Sequence, residues 1–216
     1  MPANPLPRVL ALDAMGVIYR VGDDVADLLI PFIRENGGST DRDLINDTYI
    51  AASLGKIPAS RFWQTVGLDA EYEDRYLETL ELSPGLEEFL TWAGESFDHV
   101  LCLSNGVSEW SLKLRRKFGL EKHIQTWVIG GDVGHRKPAA KIYEIMITQA
   151  GEMVGALPGE IVFIDDRIEN LDAAKEIGLE TIYFNVDMNS ANQQTVATHT
   201  TVQSFDEIQK LFSDPI

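Results

Sequence analysis

The chain is short of cations, of cysteine and of long apolar stretches, and each shortage excludes a class of protein. It has 18 Lys and Arg against 34 Asp and Glu, for a formal net charge of −16 over 216 residues. That balance argues against nucleic acid or an anionic membrane surface as a partner, and most of the excess reads as solvated surface. A small anionic ligand would need a local positive spot. The single cysteine, Cys102, excludes an intramolecular disulfide. Its place in the run Val100-Leu101-Cys102-Leu103 reads as a small inert core residue rather than a catalytic thiol. No apolar run reaches the ~18 residues of a membrane span, and Met1 to Pro7 has neither a basic start nor the apolar stretch of a signal peptide. A cytoplasmic protein is expected.

What is present is the composition of an ordinary globular chain, with 44% hydrophobic and 24% charged residues. The length suits one domain with a modest insertion. Short aliphatic runs at Arg8 to Leu12, His99 to Leu103, Thr126 to Ile129, Ile161 to Ile164 and Thr181 to Phe184 read as buried strands. Helical periodicity fills Glu109 to Phe118, Ala139 to Gln149 and Asn170 to Ile177 between them. This alternation predicts βαβ units and a three-layer α/β/α fold around a parallel sheet, Rossmann-like in plan.

From Val21 to Leu82 the alternation stops and only helices are expected, over Asp24–Asn36, Asp41–Ser53, Ser60–Val66 and Glu71–Leu80. The parse is a core of residues 1–20 and 83–216 carrying a helical insertion of residues 21–82 after the first strand. Gly85 to Ala93 is the next core helix, Asp187 to Ala197 a polar loop, and Thr200–Val202 with Ser204–Phe212 a last strand and helix.

In an open α/β sheet, ligands bind beyond the carboxyl ends of the strands. The first strand here ends in Asp13, the second in Ser104-Asn105-Gly106, and the fourth in Asp165-Asp166. The third leads through Gly130-Gly131-Asp132 to Lys137-Pro138. Taken singly, each has a plain explanation as a turn residue, a helix cap or a solvated cation. Together they do not. Three carboxylates at one end of a sheet repel one another unless something positive sits among them, and a divalent metal with Lys137 would be that something.

In these four motifs and their order the chain resembles the haloacid dehalogenase superfamily, in particular its phosphatase-like members with a small helical cap after the first strand. The motifs are Val9-Leu10-Ala11-Leu12-Asp13 with Gly16-Val17, Leu101-Cys102-Leu103-Ser104-Asn105, Arg136-Lys137-Pro138 with Ile142-Tyr143, and Ile161 to Asp166 with Asn170, Ala173-Ala174 and Gly178. The resemblance implies a hydrolase of small phosphorylated metabolites that uses Mg²⁺. Asp13 would be the nucleophile that forms an aspartyl phosphate. The metal would lie among Asp13, the backbone carbonyl of Met15 and Asp166, with Asp165 close behind and the two neighbours not ranked. Ser104, backbone N–H groups including that of Asn105, and Lys137 would hold the phosphoryl oxygens.

At one position the family pattern fails. The second Asp of the first motif, which protonates the leaving alcohol and activates water, is here Met15. A thioether does neither. His135 or a cap side chain could substitute, the substrate could have a good leaving group, or the protein could bind Mg²⁺ and phosphate without turnover. Dehalogenases of the superfamily also lack that Asp, so carbon–halogen cleavage by Asp13 is the alternative. It is disfavoured because an Asp165-Asp166 pair without a metal would be unbalanced beside a carboxylate substrate. A phospho-acceptor signalling module would place its paired acids near the first strand, where this chain has them last. Substrate contacts in the insertion are expected from Arg20 or Lys56, with Tyr19 and Arg61 as weaker candidates and Phe62 and Trp63 as cap packing. Monomer and homodimer stay open.

Overall fold

A computed structural model of the chain describes residues 7–186 and 198–213. The polar stretch expected as a loop over 187–197 lies outside the described residues. Six parallel strands form one sheet in the order β3-β2-β1-β4-β5-β6: β1 Val9–Leu12, β2 His99–Ser104, β3 Thr126–Ile129, β4 Ile161–Asp165, β5 Glu180–Phe184 and β6 Thr200–Val202. Strands buried on both faces read as continuous apolar runs, as VLAL of β1 and IVFID of β4 do.

Alternate residues of each strand serve opposite layers. Leu10, Leu12, Val100, Cys102, Val162 and Ile164 face a cluster that includes the insertion, whereas Val9, Ala11, Leu101, Leu103, Ile161 and Phe163 face the other side. The second side is covered by Ile142, Tyr143, Met146 and Ala150 of a helix over Ala140–Val154 and by Leu171 and Ala174 of a helix over Ile168–Glu176. On the first lie helices over Leu86–Ser96, Ser108–Lys117 and Phe205–Ser213. The three-layer α/β/α fold is as expected.

The chain leaves the sheet after β1 and returns before Leu86 through two paired segments. Tyr19 bridges Leu82 antiparallel, Arg20 N–H donates to the Glu81 carbonyl (3.0 Å), and Ser83 N–H donates to that of Ile18 (2.9 Å). Between them run four α-helices: α1 Ile30–Glu35, α2 Arg42–Ser53, α3 Ala59–Thr65 and α4 Tyr72–Leu77. A π-helical turn over Val25–Leu29 runs directly into α1, so the first helix is two geometries rather than one. α4 is shorter than its apolar spacing predicts. A four-residue helix at Gly130–Val133 was not foreseen, because two glycines carry poor helix propensity. Its place is set by tertiary contact, with Gly131 N–H donating to the Gly106 carbonyl (3.1 Å).

Trp110, on the helix Ser108–Lys117, reaches into the insertion. Its ring centroid lies 5.3 Å from Phe62, 5.7 Å from Trp63 and 5.3 Å from Tyr76. Phe62 and Trp63 are fully buried there, which is the packing role expected of them. One carboxylate ties this cluster together. Glu73 Oε2 accepts from Trp110 Nε1 (2.9 Å) and Trp63 Nε1 (3.3 Å), while its Oε1 pairs with Lys113 Nζ at 2.7 Å. A buried indole N–H that loses its acceptor costs about 1–3 kcal/mol. Glu73→Ala should therefore lower unfolding stability by roughly 2–4 kcal/mol in chemical denaturation. Lys113→Ala, which removes only the half-exposed partner, should cost under ~1 kcal/mol.

Candidate active site

β1 lies at the middle of the sheet; from it the chain moves outward to β2 and β3, then crosses back to β4 on the other flank. The loops beyond β1 and β4 therefore diverge, and a crevice opens at their carboxyl ends. Leu12 pairs with Ile164, so Asp13 and Asp165 leave the sheet side by side. A cleft of about 290 Å³ lies over them. The core contributes Asp13, Met15, Ser104, Asn105, Gly106, Arg136, Lys137, Arg167 and Asn170 to its walls, and the insertion adds Gly22, Asp23, Asp24, Val25, Asn46, Tyr49 and Ile50.

Lys137 is the hub. Its ammonium is buried, 2.7 Å from Asp13 Oδ1 and 2.7 Å from Asp165 Oδ2, and lies 5.2 Å from the centre of the Phe163 ring. Burial works against the charge, but the two flanking carboxylates outweigh it and hold the Lys137 pKa above its ordinary value. The Asn105 side chain fixes this lysine from the neighbouring loop. Its Oδ1 accepts from Lys137 N–H (2.7 Å) and its Nδ2 donates to the Lys137 carbonyl (3.0 Å). That amide thus positions Lys137 and is not left for a ligand. Arg136 donates to the Asn105 carbonyl (3.1 Å) and to Ser53 Oγ, joining the clamp to α2.

The two acids ending β4 have different surroundings. Asp165 is fully buried and saturated: it accepts from Lys137 Nζ, from Arg167 N–H (2.8 Å) and, with both oxygens, from Asn170 Nδ2 (3.0 and 3.1 Å). Asp166 carries a buried Oδ1 with no hydrogen-bond partner. Burial first and Asp165 second push its carboxyl up to about 6, against Arg167 and Lys137. Its Oδ2 rests against two glycines, where an added Cβ would come within 2.2 Å at Gly16 and 2.5 Å at Gly22. Asp13 is likewise raised, by burial, then Asp165, with Lys137 opposing and Asp166 adding. The carboxylate oxygens of Asp13, Asp165 and Asp166 lie within 4.8 Å of one another. An unpartnered buried carboxylate oxygen beside two others is a donor set that suits a hard divalent cation. The two neighbours that sequence left unranked thus differ in their surroundings: Asp166 has a free oxygen and Asp165 has none.

Asp13 Oδ1 is spoken for by Ala14 N–H (2.6 Å) and Lys137, and Oδ2 takes no hydrogen bond from the described residues. Ser104, 5% exposed, lines the cleft beside it. Arg20 and Lys56 do not line it. Arg20 is exposed and pairs with Glu81 at 3.6 Å, because the paired exit segments carry it away from the strand ends. Lys56 is exposed just beyond α2, as is Arg61 on α3, and His135 is absent from the walls. Tyr19 is buried below the cleft, and burial also raises the Cys102 thiol, in keeping with an inert core residue.

The residues that sequence reading missed come mostly from the insertion. Asp24 is 5% exposed, and its Oδ2 accepts from the Tyr76 hydroxyl at 3.4 Å. Burial first, then Asp23, push its carboxyl from 3.8 up to about 6, against Arg167 and Tyr76. The Asp23-Asp24 pair at the start of the insertion was the available signal, but it reads as an ordinary helix start.

The fold and site together define an α/β protein with an acidic, lysine-centred cleft at the topological switch point. The chain belongs to the haloacid dehalogenase-like hydrolase family, whose model matches residues 8–178. It is similar to a phosphorylated carbohydrates phosphatase of Thermotoga maritima, 27% identical over 108 residues, which are 50% of this chain and 48% of that protein. It is also similar to a phosphoglycolate phosphatase of Nitrosococcus oceani, 21% identical over 145 residues, which are 67% of this chain and 63% of that one. The matches thus span about half to under two thirds of these relatives' length. Among solved structures, a family enzyme of Bacteroides thetaiotaomicron in complex with magnesium and inorganic phosphate superposes with a TM-score of 0.70 at 18% identity, covering 86% of this chain and 98% of that one. L-2-haloacid dehalogenase of Xanthobacter autotrophicus, with chloropropionic acid covalently bound, superposes at 0.68 and 14% identity, covering 98% and 100%. These likenesses show the fold.

A raised buried carboxyl has a sign that stability measurements read. The folded state holds the Asp24 proton more tightly than the unfolded chain, so this group favours folding most below about pH 4 and loses that as pH climbs through about 6. Asp24→Asn should therefore stabilise the fold by on the order of 1–3 kcal/mol at pH 8 and by little at pH 4. Denaturation of both proteins at the two pH values checks this; a loss of stability at pH 8 would contradict it.

Proposed function

We propose that the protein hydrolyses small phosphate monoesters with Asp13 as nucleophile, Mg²⁺ held by Asp13, the Met15 carbonyl and Asp166, and residues 21–82 acting as a cap over the site. The observation that carries the reading is the unpartnered Asp166 Oδ1 beside Asp13, next to an Asp165 that is already saturated. A cleft of about 290 Å³ suits a small phosphorylated metabolite, which is the substrate class named for the two phosphatase relatives. Such a substrate fits a cytoplasmic setting, and no helix among the described residues is long and apolar enough to cross a membrane.

In this reading Ala14 N–H and Lys137 hold Asp13 Oδ1, which turns Oδ2 toward the phosphorus. The Oδ2–P bond forms as the ester P–O bond breaks, giving an aspartyl phosphate that water hydrolyses. When bound, the metal supplies the positive charge that lets a carboxylate approach a phosphate dianion. Lys137 offsets charge on the phosphoryl oxygens, and Ser104 Oγ donates to them from the end of β2. Asp165 and Asn105 keep the lysine in place. The insertion closes the cleft with Asp23, Asp24, Asn46, Tyr49 and Ile50, which excludes bulk water from the intermediate.

The alternative of 2-haloacid hydrolysis by the same Asp13 gives the metal no part. A panel of p-nitrophenyl phosphate, small sugar phosphates and 2-haloacids, run with Mg²⁺ and with chelator, separates the two. Phosphate release that chelator abolishes is expected, and metal-independent halide release would overturn the reading. Asp13→Asn should reduce turnover to background with the fold intact by circular dichroism. Asp166→Asn should weaken Mg²⁺ binding in titration calorimetry by at least ~10-fold.

A further inference from the structure

We propose that Asp24, delivered by the insertion, is the general acid and base of this hydrolase, in place of the carboxylate that Met15 lacks. The inference rests on the phosphatase reading above and assigns its proton transfers.

Three observations place the group. Asp24 lines the cleft that holds Asp13, Met15, Ser104 and Lys137. It also lines a smaller adjoining cavity shared with Met15, Tyr49 and Ser104, so a cap carboxyl and the thioether border the same space twice over. Its structural explanations fail. It precedes the π-helical turn at Val25–Leu29, yet its side chain makes no capping bond; Asp23 Oδ1 does that work, accepting from Ala26 N–H at 3.0 Å. Among the described residues it has no ion-pair partner, and its one hydrogen bond from another side chain is the long 3.4 Å bond from the Tyr76 hydroxyl.

The surroundings suit a proton carrier. Asp23 on its own segment raises the carboxyl and Arg167, beyond β4, lowers it, while Tyr76 of α4 donates to it. Tyr49 of α2 faces the same space, with Arg136 5.5 Å from its ring centre. Burial first and the Asp24 charge second raise both phenols, so they stay protonated and do not compete for the role. A carboxyl near 6 is poised to give and take a proton at neutral pH. The other acids at the site are committed: Asp165 is saturated by Lys137, Asn170 and Arg167, and Asp13 is the nucleophile.

The steps balance. As Asp13 Oδ2 bonds to phosphorus, the breaking ester P–O pair takes the Asp24 proton and leaves as a neutral alcohol. The Asp24 carboxylate then removes a proton from the water that attacks the aspartyl phosphate. Phosphate leaves, and Asp13 is again a carboxylate and Asp24 again a carboxylic acid.

The test compares wild type, Asp24→Asn and Met15→Asp/Asp24→Asn, all Mg²⁺-loaded, on an alkyl phosphate and on p-nitrophenyl phosphate. For Asp24→Asn, kcat/KM on the alkyl ester should fall about 10²- to 10⁴-fold. On the aryl ester, whose leaving group needs no proton, it should change less than ~5-fold, with a burst of nitrophenolate followed by slow turnover. The fall in wild-type alkyl kcat/KM above about pH 6 should disappear in the variant. The double variant, with an acid restored at position 15, should recover at least ~10-fold on the alkyl ester. Equal losses on both esters, or no loss on either, would overturn the assignment while leaving the phosphatase reading standing. A wild type with no Mg²⁺-dependent phosphate release would overturn both.

Discussion

One buried ammonium among three carboxylates is the constraint on which the rest of this structure depends. A charge removed from water is tolerated only when paired and hydrogen-bonded, and Lys137 satisfies this with Asp13 and Asp165 each at 2.7 Å. Much of the neighbouring chain holds that arrangement. Asn105 grips the lysine backbone from the end of β2, Asn170 fills both oxygens of Asp165, and Tyr143 in turn donates to the Asn170 carbonyl (2.8 Å). The sheet order brings the two acids side by side without strain, since β1 and β4 are neighbours. One positive charge does not balance three negative ones. The remainder falls on Asp166, whose buried Oδ1 has no partner.

The insertion is bound to the core by chemistry unlike that of the cleft. Around Trp110 the two share a cluster of aromatic rings, and Glu73 accepts from an indole on each side of the boundary. This attachment combines packed rings with ion pairs from Lys113 and Lys117 to Glu73, Asp74 and Glu78, while the segment facing the cleft carries a buried carboxyl. Asp24 is a buried carboxyl with little to compensate it, and a residue that weakens the fold at neutral pH is placed for chemistry more readily than for packing.

The central strands were legible because β1, β2 and β4 are buried throughout. A doubly covered parallel strand reads as a near-continuous apolar run, so Val9–Leu12, His99–Ser104 and Ile161–Asp165 could be placed from their letters to within a residue or so. Asp13, Ser104, Lys137 and Asp166 were legible for a related reason: each follows such a run, or the loop after one, and a sheet collects its strand ends in one place. The exceptions had no local cause. The short helix at Gly130–Val133 opposes its own propensity and is held by a bond to Gly106.

By itself, then, the sequence determined the sheet, its covering helices and the set of polar groups at its carboxyl edge, since these follow from periodicity and from the order of motifs along the chain. Only tertiary structure decided how differently those groups are surrounded. Asp165 and Asp166 are adjacent letters of the same type, and one is saturated while the other has a free oxygen, because that depends on which side chains from distant loops reach them. Arg20 and Lys56 were drawn toward the site by charge and by nearness in sequence, and the fold points them to solvent. Asp24 was passed over as a helix start, and the fold buries it in the cleft. Burial and long-range contact set the electrostatics of an ionisable group, and neither has a period that a linear sequence displays.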